Sequence, residues 1–104
     1  MESKEFRLSI NYKDFAYYGD KVIEQLKVKL DSVEGWMQEE VNYEGIRVKC
    51  KNENEKGWFL LRMSLHDPVM PLNIESDIKG GAAKIRSKLK NLLLKFDQID
   101  YSSL

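Results

Sequence analysis

The chain has 104 residues, 42% of them hydrophobic and 33% charged, which is typical of one small globular domain covering residues 1–104. Its 17 basic and 17 acidic residues cancel, so net charge gives no indication of binding to nucleic acid or a membrane surface. No apolar run approaches the roughly 20 residues of a membrane-spanning helix, and the charged N-terminus lacks a signal-peptide core. The single cysteine, Cys50, excludes an internal disulfide. We therefore expect an intracellular protein, cytoplasmic or in an organelle stroma.

The first third of the chain predicts a strand and then a long helix. Phe6, Leu8 and Ile10 alternate with polar residues, which indicates a half-buried strand. Asp14 offers capping chemistry. Apolar residues then recur at helical spacing and predict a helix of about five turns that ends at Gly35; they are Phe15, Tyr18, Val22, Leu26, Leu30 and Val33.

The middle of the chain predicts a loop and a hairpin. The stretch from Trp36 to Glu44 is predicted to be a loop, with Trp36 and Val41 as anchors. Ile46, Val48 and Cys50 alternate with basic residues and predict the second strand. The polar residues 52–57 predict a hairpin tip. The third strand, from about Trp58 to Ser64, is apolar on both faces at first, which predicts a central position in the sheet.

The last third predicts a short strand and a second helix. Pro68 and Pro71 are expected to bracket a connection, since proline cannot donate to a sheet ladder. Residues 72–75 alternate and predict a fourth strand. Asp77 is expected to cap the last helix, and the tail 97–104 shows no period. The apolar stripe of this helix is Ala82, Ile85, Leu89, Leu92, Leu93 and Phe96.

This order, β-α-β-β-β-α, predicts an α+β sandwich of two layers. We expect a four-stranded, mostly antiparallel sheet with both helices on one face, similar to the TATA-box-binding-protein fold. The other face would be open to solvent or to a partner. The apolar residues in 58–61 would then need cover, either as a docking surface or from a loop lying across them.

An arginine and a serine at the end of the third strand form a candidate anion site. Arg62 and Ser64 are two residues apart, so both side chains leave by the same face, while Met63 points into the core. Arginine matches oxyanion geometry, and the serine hydroxyl and loop N–H groups add donors. His66 follows in the loop, and Pro68 stiffens its exit.

A plainer interpretation stays open, because most such pairs only solvate the rim of a sheet. A lone loop histidine such as His66 is more often a surface side chain than a ligand, and no second histidine or cysteine cluster offers a metal site. Asp67 would repel phosphate, so we expect it to shape the loop, by accepting backbone N–H bonds or by pairing with Arg62.

The segment from Gly57 to Pro68, continuing to Asn73-Ile74-Glu75, resembles the C-terminal domain of the α-D-phosphohexomutases, the phosphomannomutase/phosphoglucomutase superfamily. In that family the loop has the form Arg-Pro-Ser-x-Thr-Glu-Pro, and a downstream strand ends in glutamate. The upstream Glu44-Gly45-Ile46-Arg47 is similar to the family's Asp-Gly-Val-Arg-like element. The order of elements also matches, so the resemblance covers essentially the whole chain.

The resemblance gives Arg62 and Ser64 the role of substrate phosphate binding, with Pro68 on the family's proline. Three positions depart: Met63 replaces proline, His66 replaces threonine and Asp67 replaces glutamate. Pro71 stands where an arginine is often found. The resemblance implies that His66 stands in for the phosphate-binding threonine, and that Asp67 and Pro68 shape the loop.

The resemblance also implies a division of labour between domains. The phosphoserine that transfers the phosphoryl group and the magnesium site would lie in other domains, so this chain would carry no catalytic residue, metal or cofactor of its own. Its partners would be the phosphate of a hexose phosphate and the remaining domains of the enzyme. The chain would be either an excised C-terminal domain or a stand-alone relative. The alternative is a stand-alone binding or protein-interaction module that retains the fold and uses its open sheet face.

Overall fold

The structure is a computed structural model that describes residues 1–40 and 45–104. Its elements are β1 (Glu2–Ser9), α1 (Phe15–Leu30), β2 (Trp36–Glu39), β3 (Gly45–Cys50), β4 (Gly57–Arg62), β5 (Val69–Ser76) and α2 (Gly81–Leu93). The strands form one sheet of five in the order β1-β5-β4-β3-β2, and each of these pairs is antiparallel. The predicted α+β fold is confirmed, with one strand more than the four expected.

The additional strand is β2, which the sequence analysis assigned to a loop. Its four residues pair antiparallel with β3, Trp36 opposite Cys50 and Glu39 opposite Arg47. Four residues are too few to establish a period of two, and only one of its inward side chains is apolar. Trp36 is buried, as expected of an anchor. Val41 and Glu44 lie outside the described residues.

Both helices cover one face of the sheet. Helix α1 packs on β2 and β3, and α2 packs on β1, β4 and β5. Neither helix is both long and apolar enough to span a bilayer. Strand β4 lies at the centre, as predicted, and sends Phe59 and Leu61 into the core. Their fully buried neighbours include Leu8, Leu26, Leu72, Ile74, Ile85 and Leu89.

Helix α1 begins where predicted and ends earlier. The Asp14 carboxylate accepts a hydrogen bond from the Tyr17 backbone N–H at 3.2 Å, which confirms the cap. The helix ends at Leu30 instead of continuing through Val33, which is half-buried in the following turn. The Gln38 side chain donates to the Lys27 carbonyl at 2.7 Å and so satisfies one of the last helical acceptors.

The N-terminus of α2 is capped by a residue that is distant in sequence. The prediction that Asp77 caps it is wrong: the Glu2 carboxylate of β1 accepts from the N–H groups of Gly80, at 3.0 Å, and Ala82, at 3.1 Å. These bonds favour the ionised carboxylate and lower the pKa of Glu2. The Asp77 N–H donates instead to the Lys56 carbonyl at 2.9 Å.

Strand β5 is longer than predicted and contains Pro71, which was expected in the connection. The strand runs from Val69 to Ser76. Its described pairing with β4 ends at Leu61–Leu72, so the proline, which has no N–H to donate, stands where that ladder stops. Pro68 remains in the connection, as predicted.

The aperiodic tail is packed along β1. Ile99 is buried and pairs with Ile10, and the Asn11 N–H donates to the Gln98 carbonyl at 2.7 Å. The Tyr101 hydroxyl donates to the Phe96 carbonyl at 2.5 Å. Burial, with smaller contributions from nearby groups, raises the pKa of Tyr101 to about 12.

The hairpin between β3 and β4 carries a buried charge that the sequence did not reveal. Glu55 is 0% exposed. Its Oε1 accepts from the Trp36 indole N–H at 2.8 Å and from the Asn52 amide at 2.9 Å. Its Oε2 forms a salt bridge with the Lys88 ammonium of α2, 2.6 Å away, and has no other partner among the described residues. The carboxylate therefore ties the hairpin to both β2 and α2.

The partners of Glu55 keep it ionised. Burial by itself raises the pKa of the carboxyl, but the Lys88, Trp36 and Asn52 side chains favour the charged form, and the net pKa lies below its usual value. Burial, with a smaller contribution from the Glu55 charge, raises the pKa of the neighbouring Cys50 thiol to about 12. Cys50 is therefore an inert core thiol.

Replacing Glu55 by alanine should destabilise the fold by about 2–4 kcal/mol, because the Trp36 indole and Asn52 amide lose their shared acceptor and Lys88 loses its counterion. Chemical denaturation measures this change. The matched control is Glu53→Ala on the same hairpin, whose side chain is 94% exposed and pairs with Lys56 at 3.4 Å; it should change stability by less than about 0.5 kcal/mol. Equal losses for the two variants would contradict the role of Glu55.

The same carboxylate predicts the direction of a pH dependence. Because the pKa of Glu55 is lower in the folded chain, its stabilisation is complete above the ordinary carboxyl pKa of 4.5 and is lost as the pH falls through the folded value. The difference in melting temperature between the wild type and Glu55→Gln should therefore narrow as the pH falls below 4.5. A difference that widens on acidification would show that the carboxyl is stabilised in its neutral form.

Candidate functional site

The strict alternation of β4 continues past its last residue and positions the candidate site. Met63 is 8% exposed and packs against α1 at Gly19, where an added Cβ would collide with the Met63 sulfur. Arg62 and Ser64 therefore share the opposite face, which the helices leave open. The burial of Met63 agrees with its predicted position in the core, and the exposure of Arg62 agrees with its predicted position on the open face.

The loop after β4 is closed by Ser64. Its hydroxyl accepts a hydrogen bond from the Asp67 N–H at 3.3 Å, and its own N–H donates to the Val69 carbonyl at 3.0 Å. The Val69 N–H donates to the Asp67 carbonyl at 2.7 Å, and the Pro68 carbonyl accepts from Ile10 at 2.7 Å. The loop is thus a fixed turn tied to the end of β1. Asp67 contributes to it through backbone groups.

The donors of this loop face solvent. The side chains of Arg62 and His66 are exposed, and Ser64 is half-buried. Within residues 1–40 and 45–104, neither Arg62 nor Asp67 takes part in a salt bridge. In the same ranges the N–H groups of Leu65 and His66 have no backbone or side-chain acceptor. A guanidinium, a hydroxyl and two N–H groups at one strand end can together hold an oxyanion.

The sheet register brings in one basic residue that the sequence analysis did not consider. Arg7 of β1 lies opposite Pro71 of β5, on the same open face. Because Leu61 lies opposite Leu72, Arg62 flanks Pro71 from the β4 side. Two neighbouring strand spacings separate the two arginines, roughly 10 Å between Cα atoms, and a proline with no long side chain stands between them. Only the pairing of β1 with β5 could have revealed that Arg7 lies near Arg62 on the open face.

Gly45 allows β3 to approach the end of β4 closely. It lies opposite Arg62, and a Cβ at Gly45 would come 2.7 Å from the Leu61 carbonyl oxygen. The glycine of the upstream motif is therefore required by backbone approach beside the candidate loop. Glu44, the first residue of that motif, lies outside the described residues.

The resemblance places the magnesium ion of the parent enzyme in other domains. Residues 1–40 and 45–104 contain no group of three or more His, Cys, Asp or Glu side chains arranged to hold a metal.

Comparison with known proteins gives one curated relative and one fold neighbour of interest. Over 91 residues the chain is 31% identical to a phosphomannomutase of Methanocaldococcus jannaschii, covering 86% of this chain and 17% of the relative. A solved phosphoglucomutase/phosphomannomutase family protein of Burkholderia thailandensis shares the fold, with a TM-score of 0.56 and 23% identity over 93% of this chain and 18% of that one. No model of a protein family matches the chain.

The chain thus spans less than a fifth of either protein. Most of its own length is nevertheless matched in both. The chain is thus similar in sequence to part of a phosphomannomutase and in fold to part of a phosphoglucomutase/phosphomannomutase family protein, which is consistent with a C-terminal domain of that superfamily.

Proposed function

We propose that this chain holds the non-reacting phosphate of a hexose phosphate, as the C-terminal domain of a phosphomannomutase/phosphoglucomutase-like enzyme. Arg62, Ser64 and His66 are the phosphate-binding residues of the proposal, and Asp67 and Pro68 shape the loop. The observation that carries it is the turn closed by Ser64, whose donors face solvent. The Arg62 guanidinium beside this turn takes part in no salt bridge among the described residues.

The chemistry of the loop supports this role. A phosphate dianion offers several acceptor oxygens, and the Arg62 fork can engage two of them. The Ser64 hydroxyl accepts from the Asp67 N–H and can still donate its own proton to a ligand. His66 adds a further donor from the exposed part of the loop. Arg7 would add a second guanidinium on the far side of Pro71.

In the proposed enzyme this chain contributes positioning rather than chemistry. The phosphoserine and magnesium ion of the other domains would act on one end of the sugar while this loop holds the phosphate at the other. Fixing the substrate in this way makes the transfer effectively unimolecular and removes much of its entropic cost. The hexose phosphate and the remaining domains are the partners that this proposal requires.

The second candidate is a binding or protein-interaction module that retains the fold. The observation that favours it is the sheet face opposite the helices, where Met37 is 47% exposed and Trp58 and Leu60 are only half-buried. Cover for these side chains would come from a partner.

Inorganic phosphate should bind the isolated chain weakly, with a Kd on the order of millimolar, because the translational and rotational freedom that the ligand loses offsets most of what a few exposed contacts contribute. Amide NMR should show shifts centred on residues 64–68. Arg62→Ala should weaken binding about tenfold or more, since it removes a charge-assisted contact. Arg7→Ala should weaken it less.

The matched control for that titration is Lys84→Ala, which removes an exposed cation on α2, on the covered side of the sheet. It should leave the affinity unchanged. The phosphate-binding role would be refuted by the absence of any shift at tens of millimolar phosphate, or by equal losses for Arg62→Ala and Lys84→Ala.

The isolated chain should show no mutase activity, because the proposal assigns the transferring phosphoserine and the metal to other domains. A coupled assay of mannose 1-phosphate and glucose 1-phosphate conversion to their 6-phosphates, with magnesium supplied, tests this expectation. Measurable turnover by the purified chain that Arg62→Ala reduces would mean that the chain itself carries the reaction.

A further inference from the structure

The open face of the sheet carries a groove of about 550 Å³ near the β3–β4 hairpin. This volume falls within the roughly 300–1,000 Å³ range of small-molecule sites. None of the residues from Arg62 to Pro68 lines it, so it is separate from the loop described above. The indole of Trp58 lies among the charged side chains that line it.

Opposite charges stand on the two sides of Trp58. The register places Lys49 of β3 on one side of it and Glu75 of β5 on the other. Lys51 extends the basic side, and Asp77 extends the acidic side. Within residues 1–40 and 45–104 none of these four takes part in a salt bridge. The groove therefore presents these two ammonium and two carboxylate groups to a ligand, in addition to Lys56, which pairs with Glu53, and the paired Arg47 and Glu39.

One end of the groove is fixed before any ligand binds. The Arg47 guanidinium lies over the Trp58 ring, 4.2 Å from its centroid, and its Nε is 3.2 Å from the Glu39 carboxylate. This stack and ion pair hold the indole and the guanidinium in place. A ligand that contacts the indole where Arg47 leaves it uncovered consequently has less side-chain motion to arrest.

We propose that this groove binds a small zwitterion whose ammonium and carboxylate groups are roughly 4–8 Å apart, with its apolar stem beside the Trp58 indole. The distance follows from the sheet: Lys49 and Glu75 are two strand spacings apart, about 10 Å between Cα atoms, their side chains can lean apart by a few ångströms, and each ionic contact takes up about 3 Å of the span. The charges of an α-amino acid, about 3 Å apart, cannot reach both sides. A long ω-amino acid can, and so can a peptide of two or three residues, at roughly 3.3–3.6 Å per residue.

The test is a titration of the chain with 6-aminohexanoate, followed by amide and indole NMR. Binding should be millimolar and should shift the Trp58 indole and the amides of Lys49 and Glu75. The buried Trp36 indole, bonded to Glu55, serves as the internal reference. Glycine, hexanoate and hexylamine each lack the spacing or one of the charges, and should bind about three- to tenfold more weakly.

Two variants assign the two ends of the ligand. Lys49→Gln should remove the advantage of 6-aminohexanoate over hexylamine, and Glu75→Gln should remove its advantage over hexanoate. Lys84→Gln on α2 is the matched control and should change neither. Three results would overturn the proposal: no shift at about 50 mM ligand, equal binding of hexanoate and 6-aminohexanoate, or shifts confined to residues 64–68. Because phosphate binding at Arg62 is measured separately, the two proposals can fail independently.

Discussion

The alternation of side chains along β4 is the constraint on which the rest of the structure depends. The strand lies at the centre of the sheet, so each inward residue must fit under the helices and each outward residue must face the open side. Phe59, Leu61 and Met63 anchor the inward set. A shift of one residue would bury Arg62 and expose Phe59, so the core itself fixes which residues reach the open face.

This constraint gives the open face two separate regions. Near the hairpin, Trp58 lies between Lys49 and Glu75. At the other end of β4, Arg62 and Ser64 lead into the loop that Ser64 closes. Both regions contain charged groups without a salt-bridge partner in the described part of the chain, whereas the buried Glu55 is paired with Lys88. The buried charge is therefore paired, whereas the open face carries both an ion pair, Arg47 with Glu39, and charged groups that are available to a ligand.

The features that the sequence predicted correctly are those that depend on local pattern. The alternation in β1, β3 and β4 and the apolar stripes of the helices predicted which side chains face the core, and spacing alone placed Arg62 and Ser64 on one side of the sheet. The resemblance to the phosphohexomutases agrees with the relatives found. Features that depend on pairing between distant segments were missed or misassigned. Examples are the four-residue strand that begins at Trp36, the cap of α2 by Glu2, and Arg7 across from Pro71.

Glu55 shows the same limit most clearly. In the sequence it is one polar residue of a turn, and nothing nearby distinguishes it from Glu53, which is exposed. Its burial results from Trp36 and Lys88, 19 and 33 positions away, which meet only after β2 and α2 have packed. A pattern of residue types along the chain does not contain that information.

The measurement that tests the central claim most directly is an amide NMR comparison of mannose 6-phosphate with free mannose on the isolated chain. If the loop recognises the phosphate of a sugar phosphate, mannose 6-phosphate should shift the amides of residues 64–68, and free mannose at the same concentration should not. Equal shifts with both sugars, or shifts that avoid this loop, would contradict the account.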